Sequence, residues 1–426
     1  MIRLFKGAQI ATAGNPTLEA ADVVVDGGII TQVGPGIAAP EGAEVIDCSG
    51  KILLPGFFDL HVHLREPGRS DKESIRTGTE AAINGGVTGV VAMPDTTPAI
   101  DSGGLARSVL DIASKSARIP VHVAGAVTKG RAGQEMAAIA GLVGAGVRMI
   151  TDNSLPIDNP QMLRRAMEYA REFDLIVACH CETKALSGQG AMNEGAVSYK
   201  LGIPGMPAMS EEICIERDLA IARHTRCRLH IQHVSTARGV EIIRRAKSDG
   251  VAVTCEVTPH HLIFNETDIF DYDSNFKTNP PLRTVEDNAA LLAGLKDGTI
   301  DMIASDHAPH TEFEKRQQDF GNAPFGITGL ETAVVALYEK FVQPGELDWG
   351  LVVERYSTGP RELLGLDPTG IAEGRPAELV VFDPAGKTRV SKEFMRSKAC
   401  NTPFLDQELS GSIDRVVVGD DELLSR

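Results

Sequence analysis

Two histidines stand one residue apart in the segment DLHVHLREPG at positions 59–68, and an arginine follows two positions later. The run FFDLHVHL is apolar and follows Pro-Gly, which is typical of a β-strand. Alternate side chains of a strand share one face, so we expect His61, His63 and Arg65 to point the same way. Two such imidazoles could bind one metal ion, with the positively charged side chain of Arg65 beside it. The pair alone is equally compatible with a histidine-rich strand end that binds nothing.

Four more side chains of metal-binding type follow other strand-like runs, and they are Asp152 in ITDN, His180 in ACHCE, His233 in IQHVS and Asp306 in ASDHAPH. A single buried histidine is more often a hydrogen-bonded core residue than a ligand, but the shared position at strand ends favours a metal site. Imidazole and carboxylate suit zinc, with manganese and iron as alternatives. Six ligands exceed what one catalytic zinc with an open position needs. The pattern therefore predicts two ions that share a bridging carboxylate.

The elements that would position these residues alternate along the middle of the chain. Amphipathic segments such as NPQMLRRAMEYAREF separate eight apolar runs, which are FFDLHVHL, VTGVVAMPD, VHVAGAVT, VRMITD, LIVACHCE, RLHIQHVS, VAVTCEVTP and MIASDHAP. This alternation predicts a (β/α)8 barrel over residues 54–365 rather than a doubly wound sheet, with catalytic residues at the carboxyl ends of its strands. Residues 1–53 and 366–426 are rich in short strands and turns, and they predict one small composite β-sandwich domain.

Composition and charge narrow the classes of function. The chain has 426 residues, of which 42% are hydrophobic and 23% are charged, as in ordinary globular proteins. Its net charge of −16 disfavours binding to nucleic acid or to an anionic membrane surface. Seven scattered cysteines suit a reducing compartment, and the start of the chain lacks the apolar core of a signal peptide. We therefore expect a cytoplasmic protein without a membrane span.

Ten motifs between residues 55 and 331 resemble the amidohydrolase superfamily and, within it, the class I dihydroorotases. They are PGFFDLHVHLREPG, VVAMPDTTP, AVTKG, ITDN, ACHCE, IQHVST, CEVTPHHL, KTNPPLR, IASDHAPH and PFGITGLE. The resemblance implies a zinc-dependent enzyme that reversibly cyclises N-carbamoyl-L-aspartate to L-dihydroorotate in pyrimidine biosynthesis. It implies two zinc ions per subunit, the first bound by His61, His63 and Asp306, the second by His180 and His233, with Asp152 as the bridge. Asp306 would also be the general base.

The resemblance also implies a substrate site. The planar fork of an arginine matches a carboxylate, which assigns Arg65 to the acid group of dihydroorotate. The family places further substrate contacts at positions that here hold Asp95, Asn279, His310, Pro324 and Gly326. The polar segment 310–326 is either a lid over the substrate or an ordinary surface loop.

Two positions depart from the family pattern. Asp95 stands where the family usually has asparagine, and an ionised carboxylate cannot donate a hydrogen bond to the substrate carboxylate. Asp95 is therefore expected to be protonated, to pair with Arg65 or to turn away. The family sequence T-D-D-G reads T-D-N-S here, so we expect a loop of different shape at Asn153 and Ser154.

Alternative functions are another cyclic amidohydrolase, of hydantoinase, dihydropyrimidinase or allantoinase type, and a non-catalytic partner of aspartate carbamoyltransferase. The related hydrolases usually bridge their metal ions with a carboxylated lysine on the fourth strand, and this chain has no lysine between Lys129 and Lys184. The retained ligand residues argue against a purely non-catalytic role. A homodimer and an association with aspartate carbamoyltransferase are expectations by analogy with the family.

Overall fold

The computed structural model describes residues 1–269 and 271–426. The chain begins with five strands, which are β1 (Ile2–Ile10), β2 (Glu19–Asp26), β3 (Ile29–Gly34), β4 (Glu44–Asp47) and β5 (Ile52–Pro55). The following strands are β6 (Phe57–Val62), β7 (Val87–Ala92), β8 (Val121–Val123), β9 (Met149–Ile150), β10 (Ile176–Cys179), β11 (Met192–Asn193), β12 (Gly205–Met206), β13 (Arg228–Ile231), β14 (Val253–Val257) and β15 (Met302–Ile303). Each apolar run predicted from the sequence contains one of these strands, and β11 and β12 form a separate small pair.

Parallel pairing closes the central strands into a barrel. Strands β6, β7 and β8 form one sheet, and β9, β10, β13, β14 and β15 form another. Parallel bridges at Gly125–Ile150 and Val62–His307 join the two sheets. All six residues of β6 are buried, as expected where helices cover one face of a parallel sheet and side chains fill the other. The predicted (β/α)8 fold class is confirmed.

Helices cover the outside of the barrel. They are α1 (Ile75–Asn84), α2 (Gly103–Ser116), α3 (Ile139–Val143), α4 (Pro160–Arg171), α5 (Lys184–Ser187), α6 (Ala196–Leu201), α7 (Met209–Thr225), α8 (Ala237–Ser248), α9 (Pro259–Ile263), α10 (Val285–Asp297), α11 (Glu312–Arg316), α12 (Ala333–Leu337), α13 (Trp349–Val353) and α14 (Gly359–Leu363). Side-chain caps begin several of them; Ser74, for example, accepts from the backbone N–H of Thr77. Of the described helices, none is long and apolar enough to cross a membrane.

A second sheet joins the two ends of the chain. Its last strands are β16 (Glu378–Arg389), β17 (Glu408–Val418) and β18 (Asp421–Ser425), and the strand order is β18-β17-β16-β5-β1-β2-β3, with β4 beside β1. Strand β16 pairs antiparallel with β5, so the carboxyl-terminal strands lie on the amino-terminal ones. This composite sheet agrees with the predicted β-sandwich, whereas the boundaries at residues 53 and 366 stay a prediction.

A buried carboxylate, that of Asp59, connects β6 with the residues that follow β15. Asp59 in β6 accepts hydrogen bonds from the backbone N–H groups of His61, in the same strand, and of Ser305, which follows β15. The hydroxyl of Tyr356, between α13 and α14, donates to Asp59 Oδ2 at 2.7 Å. Asp59 is fully buried, and this burial raises its pKa against the effect of these hydrogen bonds.

The substitution Tyr356→Phe removes one donor from the buried Asp59 carboxylate. We expect it to lower the free energy of unfolding by about 1–2 kcal/mol, since a buried acceptor loses a partner. Urea unfolding followed by circular dichroism measures this change. The matched control, Tyr199→Phe, alters a side chain that is 90% exposed, and its effect should stay within about 0.5 kcal/mol. Equal unfolding midpoints for the two variants would contradict the assigned role.

Candidate metal centre

Five of the six predicted metal ligands meet at the carboxyl ends of the barrel strands. Ligand atoms of His61, His233 and Asp306 all lie within 4.8 Å of one another, and the three residues are buried. His63 Nε2 lies 3.0 Å from Asp306 Oδ1, and His61 Nε2 lies 3.3 Å from the same oxygen. His180 Nδ1 lies 2.9 Å from His233 Nε2. The structure therefore brings together side chains that are up to 245 positions apart in the sequence.

Several of these residues have an unusual backbone conformation. Arg65, His233 and Asp306 have φ angles of 58°, 33° and 46°, in the left-handed region that residues with a Cβ rarely adopt. Such conformations cost of order 1–3 kcal/mol each and cluster at functional sites, where they aim a side chain. The turns at the strand ends therefore direct these side chains into the barrel mouth.

Asp152, the sixth predicted ligand, accepts hydrogen bonds from the segment after β8. Its Oδ1 accepts from the backbone N–H groups of Val127 and Thr128, at 2.9 and 3.0 Å, and its Oδ2 accepts from the Thr128 hydroxyl. Both oxygens are thus engaged with the segment after β8. The role of Asp152 as a bridge between two metal ions stays a prediction.

Asn153 is the side chain that this loop directs at the cluster. Its Nδ2 lies 2.9 Å from His61 Nε2 and donates to Gln232 Oε1 at 3.0 Å. Its Oδ1 is buried and has no hydrogen-bond partner among residues 1–269 and 271–426. The sequence analysis treated Asn153 only as a change in loop shape and therefore missed its position in the site.

Glu256, which the sequence analysis also missed, orients His61. Its Oε1 lies 2.5 Å from His61 Nδ1, and its Oε2 lies 3.1 Å from His230 Nε2. Burial opposes the ionisation of Glu256, but the charge of His61 and the hydrogen bond from His230 outweigh it and hold its pKa below the ordinary value. With a proton on His61 Nδ1, the lone pair for a metal would be on Nε2, the nitrogen that Asn153 Nδ2 approaches, and this tautomer is common for metal-binding histidines. The only sequence signal was its place in the motif CEVTPHHL.

Glu182 performs a similar role for His180. Its Oε2 lies 3.1 Å from His180 Nε2 and accepts from Lys184 Nζ at 2.7 Å, while Ser187 donates to its other oxygen. Asn279, predicted to contact substrate, donates to the same Oε2 of Glu182 at 3.1 Å. Both carboxylate oxygens of Glu182 are therefore already engaged by side chains of the chain.

Asp95 pairs with Arg65. Arg65 Nη1 donates to Asp95 Oδ2, and the same oxygen lies 2.9 Å from His63 Nδ1. Burial opposes the ionisation of Asp95, but the charges of His63 and Arg65 outweigh it and hold its pKa below the ordinary value. Of the three arrangements considered from the sequence, the structure shows the ion pair.

A cavity of about 290 Å³ opens beside the histidine cluster. Residues with predicted roles line it, namely His63, Arg65, His233, Asn279, Asp306, Pro324 and Gly326, and so does Asn153. His310 lies behind this wall, where its Nε2 donates to the carbonyl oxygen of Phe325 at 2.8 Å. His310 is thus placed to support the wall through Phe325.

Two buried lysines donate hydrogen bonds to backbone carbonyl groups of the segment from 310 to 326. Lys315 Nζ donates to the carbonyl oxygen of Pro324 at 2.9 Å. Lys277 Nζ donates to the carbonyl oxygens of Phe320 and Gly321, each at 2.8 Å. Burial lowers the pKa of Lys315 to about 7 and that of Lys277 to about 8. The bonds from Lys277 therefore join this segment to the loop after β14, whereas the bond from Lys315 to Pro324 lies within the segment. The choice between a lid and an ordinary surface loop stays open.

The donor set of this centre fits a divalent cation. Burial lowers the pKa of His61, but the carboxylates of Glu256 and Asp306 outweigh it and raise the pKa to about 9, which marks an excess of negative charge around the ring. Two side-chain oxygens on the cavity wall, Asn153 Oδ1 and Thr278 Oγ1, are buried without a partner in the described part of the chain. Imidazole nitrogens and carboxylate oxygens are ligands that zinc prefers.

Known proteins are similar to this sequence along almost its whole length. A family described as Dihydro-orotase-like matches residues 50–239. A dihydroorotase of Thermoanaerobacter sp. (strain X514) is 44% identical, and the match covers 93% of this chain and 92% of that protein. A dihydroorotase of Trichlorobacter lovleyi is 40% identical, with 98% of this chain and 97% of that protein covered.

Solved structures share the fold. A dihydropyrimidinase from Brevibacillus agri superposes with a TM-score of 0.86 at 25% identity, covering 100% of this chain and 95% of that chain. An L-hydantoinase from Arthrobacter aurescens superposes with a TM-score of 0.89 at 24% identity, covering 99% and 96% of the two chains. These likenesses support the barrel with its second, strand-rich domain.

The substitution Glu256→Gln tests how His61 is oriented. We expect zinc affinity to fall by about 10–100-fold, because the amide no longer attracts the proton on His61 Nδ1. Competition with a chromophoric chelator measures the affinity. Glu241→Gln, which alters an exposed ion pair with Arg238, should leave it unchanged. Equal affinities in the two variants would show that Glu256 does not support the metal site.

Proposed function

Because the chain belongs to the dihydroorotase family, it is a cyclic amide hydrolase of pyrimidine biosynthesis, and we propose that zinc bound at the strand ends supports its reaction. The observation that carries the activity is the 44% identity to a dihydroorotase along nearly the whole chain. The reaction is the reversible cyclisation of N-carbamoyl-L-aspartate to L-dihydroorotate, and the cavity beside the histidines is its proposed site.

The residues proposed to hold the metal are His61, His63, His233 and Asp306, with His180 adjoining His233. A zinc ion in such a site supplies Lewis-acid activation of water and of the amide carbonyl. Glu256 and Glu182 contact His61 and His180 and would fix the orientation of the two rings.

We assign the proton transfer to Asp306. The carboxylate lines the cavity, and although burial opposes its ionisation, the charges of His61 and His63 outweigh this and hold its pKa below the ordinary value. Asp306 can therefore accept a proton when the ring amide is attacked and return it to the ring nitrogen that leaves. In the direction of cyclisation the same carboxylate takes the proton from the carbamoyl nitrogen as this nitrogen bonds to the carboxyl carbon, and returns it to the oxygen that leaves as water.

Arg65 is the proposed partner of the substrate carboxylate. It lines the cavity, and its Nε is buried with no hydrogen-bond partner in the described residues. Asp95 already engages Nη1 of the same guanidinium, so the positive charge offered to an anionic substrate is partly compensated. This compensation is the one observation that favours an uncharged cyclic substrate, such as hydantoin, over dihydroorotate, and it is the reason to test that alternative.

A homodimer and an aspartate carbamoyltransferase partner stay predictions.

Turnover of dihydroorotate by the zinc-loaded enzyme, measured at acid and alkaline pH, tests the function. The substitution Asp306→Asn should lower kcat by about 10²–10⁴-fold, because it removes the general base. Asp249→Asn, on the exposed surface, serves as the control and should retain full activity. Hydrolysis of hydantoin or allantoin with no turnover of dihydroorotate would overturn the proposal.

The substitution Asp95→Asn tests the compensation at Arg65. We expect KM for dihydroorotate to fall by about tenfold with a smaller change in kcat, because the substrate carboxylate no longer faces a like charge. Steady-state kinetics separates the two parameters. Asp111→Asn, in an exposed ion pair with Lys115, is the control. An unchanged KM would mean that Asp95 does not limit substrate binding.

A further inference from the structure

A second group of buried side chains of metal-binding type lies outside the barrel mouth, between strand β10 and helix α7. Ligand atoms of Cys181, Cys214 and Asp218 all lie within 4.8 Å of one another. The three residues are at most 5% exposed. Two thiols and a carboxylate this close together are a donor set that the proposed reaction at the barrel mouth does not use.

The spacing of these residues in the sequence explains why they meet. Cys179 ends β10 and Cys181 stands two positions later, so strand alternation directs both thiols to the face opposite His180. Cys214 and Asp218 are four positions apart in α7 and therefore share one face of that helix. The thiols of Cys179 and Cys181 both lie beside the Asp218 carboxylate, so the two faces are in contact.

Asp218 is the acid group of this cluster. Its Oδ1 accepts a hydrogen bond from Arg217 Nε at 2.8 Å. Its Oδ2 lies 3.7 Å from Cys181 Sγ and 3.8 Å from Cys214 Sγ. A thiol is a weak donor, so these contacts offset little of the free energy that burying the carboxylate costs. Burial accordingly raises the pKa of Asp218, against the charge of Arg217.

Arg217 contributes a positive charge to the same cluster. Its Nη2 lies 3.3 Å from Cys214 Sγ, and its side chain is 24% exposed, so it reaches from the cluster to solvent. Two thiolates and one carboxylate carry three negative charges, which a divalent cation and Arg217 would neutralise together. A neutral group is the kind that a protein interior tolerates. Thiolate sulfur selects metal ions such as zinc over the hard cations calcium and magnesium.

We propose that Cys181, Cys214 and Asp218 form a second metal site, which binds a thiophilic divalent cation such as zinc, with Cys179 as a fourth donor. The site is separate from the metal centre at the barrel mouth, because it lies on the side of β10 that α7 covers. A bound ion would join β10 to α7 and would be structural, since protein side chains supply all of its donors. This inference does not depend on the proposed function.

Cadmium, which has the charge of zinc and a stronger preference for sulfur, tests the site. The full-length protein is stripped with a chelator, kept reduced with a phosphine and titrated with cadmium chloride. The thiolate-to-cadmium charge-transfer band in the ultraviolet reports binding to sulfur. We expect a saturable band in the wild type and also in His61→Asn, because the side chains at the barrel mouth offer cadmium only nitrogen and oxygen.

The substitution Cys214→Ser separates the thiol site from other cadmium binding. We expect it to abolish the band and to lower the cadmium affinity of this site by more than about 100-fold, since even the loss of an outer contact of a ligand costs about 10–100-fold. Cys227→Ser alters a buried thiol beside the carbonyl group of Leu175 and should keep the band. A wild type without the band, or a band that persists in Cys214→Ser, would overturn the proposal.

X-ray absorption at the cadmium edge gives a second readout on the wild type, which covers the case in which Cys214→Ser does not fold. The spectrum of the cadmium-loaded protein should contain sulfur scatterers in the first coordination shell. A shell of nitrogen and oxygen alone would overturn the proposal, whatever the dihydroorotase activity of the protein.

Discussion

Buried negative charge is the constraint on which this site depends. Around the histidines at the mouth of the barrel lie five carboxylates, those of Asp59, Asp95, Glu182, Glu256 and Asp306, and each side chain is at least 90% buried. A buried carboxylate is tolerated only when hydrogen bonds or opposite charges compensate it. Imidazoles, one guanidinium and backbone N–H groups do so here, and the raised pKa of His61 shows that the ring lies in an excess of negative charge. A divalent cation at this point satisfies the same requirement.

The five carboxylates have different roles, which follow from the residues that they contact. Asp59 ties the strand ends together, Glu256 and Glu182 orient histidines, and Asp306 faces the cavity where the reaction is proposed to occur. Because they share neighbours, a charge removed at one position alters the others, and single substitutions in such a network are not expected to be additive. The asparagine at position 153 and the aspartate at position 95 belong to this network through His61 and His63.

Much of the fold and of the candidate site could be predicted from the amino-acid sequence. The alternation of apolar runs and amphipathic segments predicted the barrel, because a parallel strand buried on both faces needs a continuous apolar stretch and a helix to cross back. The positions of His61, His63, His180, His233 and Asp306 just before or after the ends of such runs predicted that they would meet. The relation between Arg65 and Asp95 was left open among three arrangements, since only the packed loops decide which one is reached.

The sequence by itself therefore determined the barrel and the residues that converge at its mouth, because these follow from periodicity and from residue type, and its motifs determined the family by their resemblance to known proteins. The tertiary structure decided that the side chain of Asn153 contacts His61 and that the neighbouring Asp152 accepts hydrogen bonds from Val127 and Thr128. Strand alternation no longer applies beyond the last paired residue, so these contacts depend on residues distant in the chain, such as Thr128, which lies 24 positions from Asp152. The orienting roles of Glu256 and Glu182 depend in the same way on contacts between strands, which no local pattern encodes.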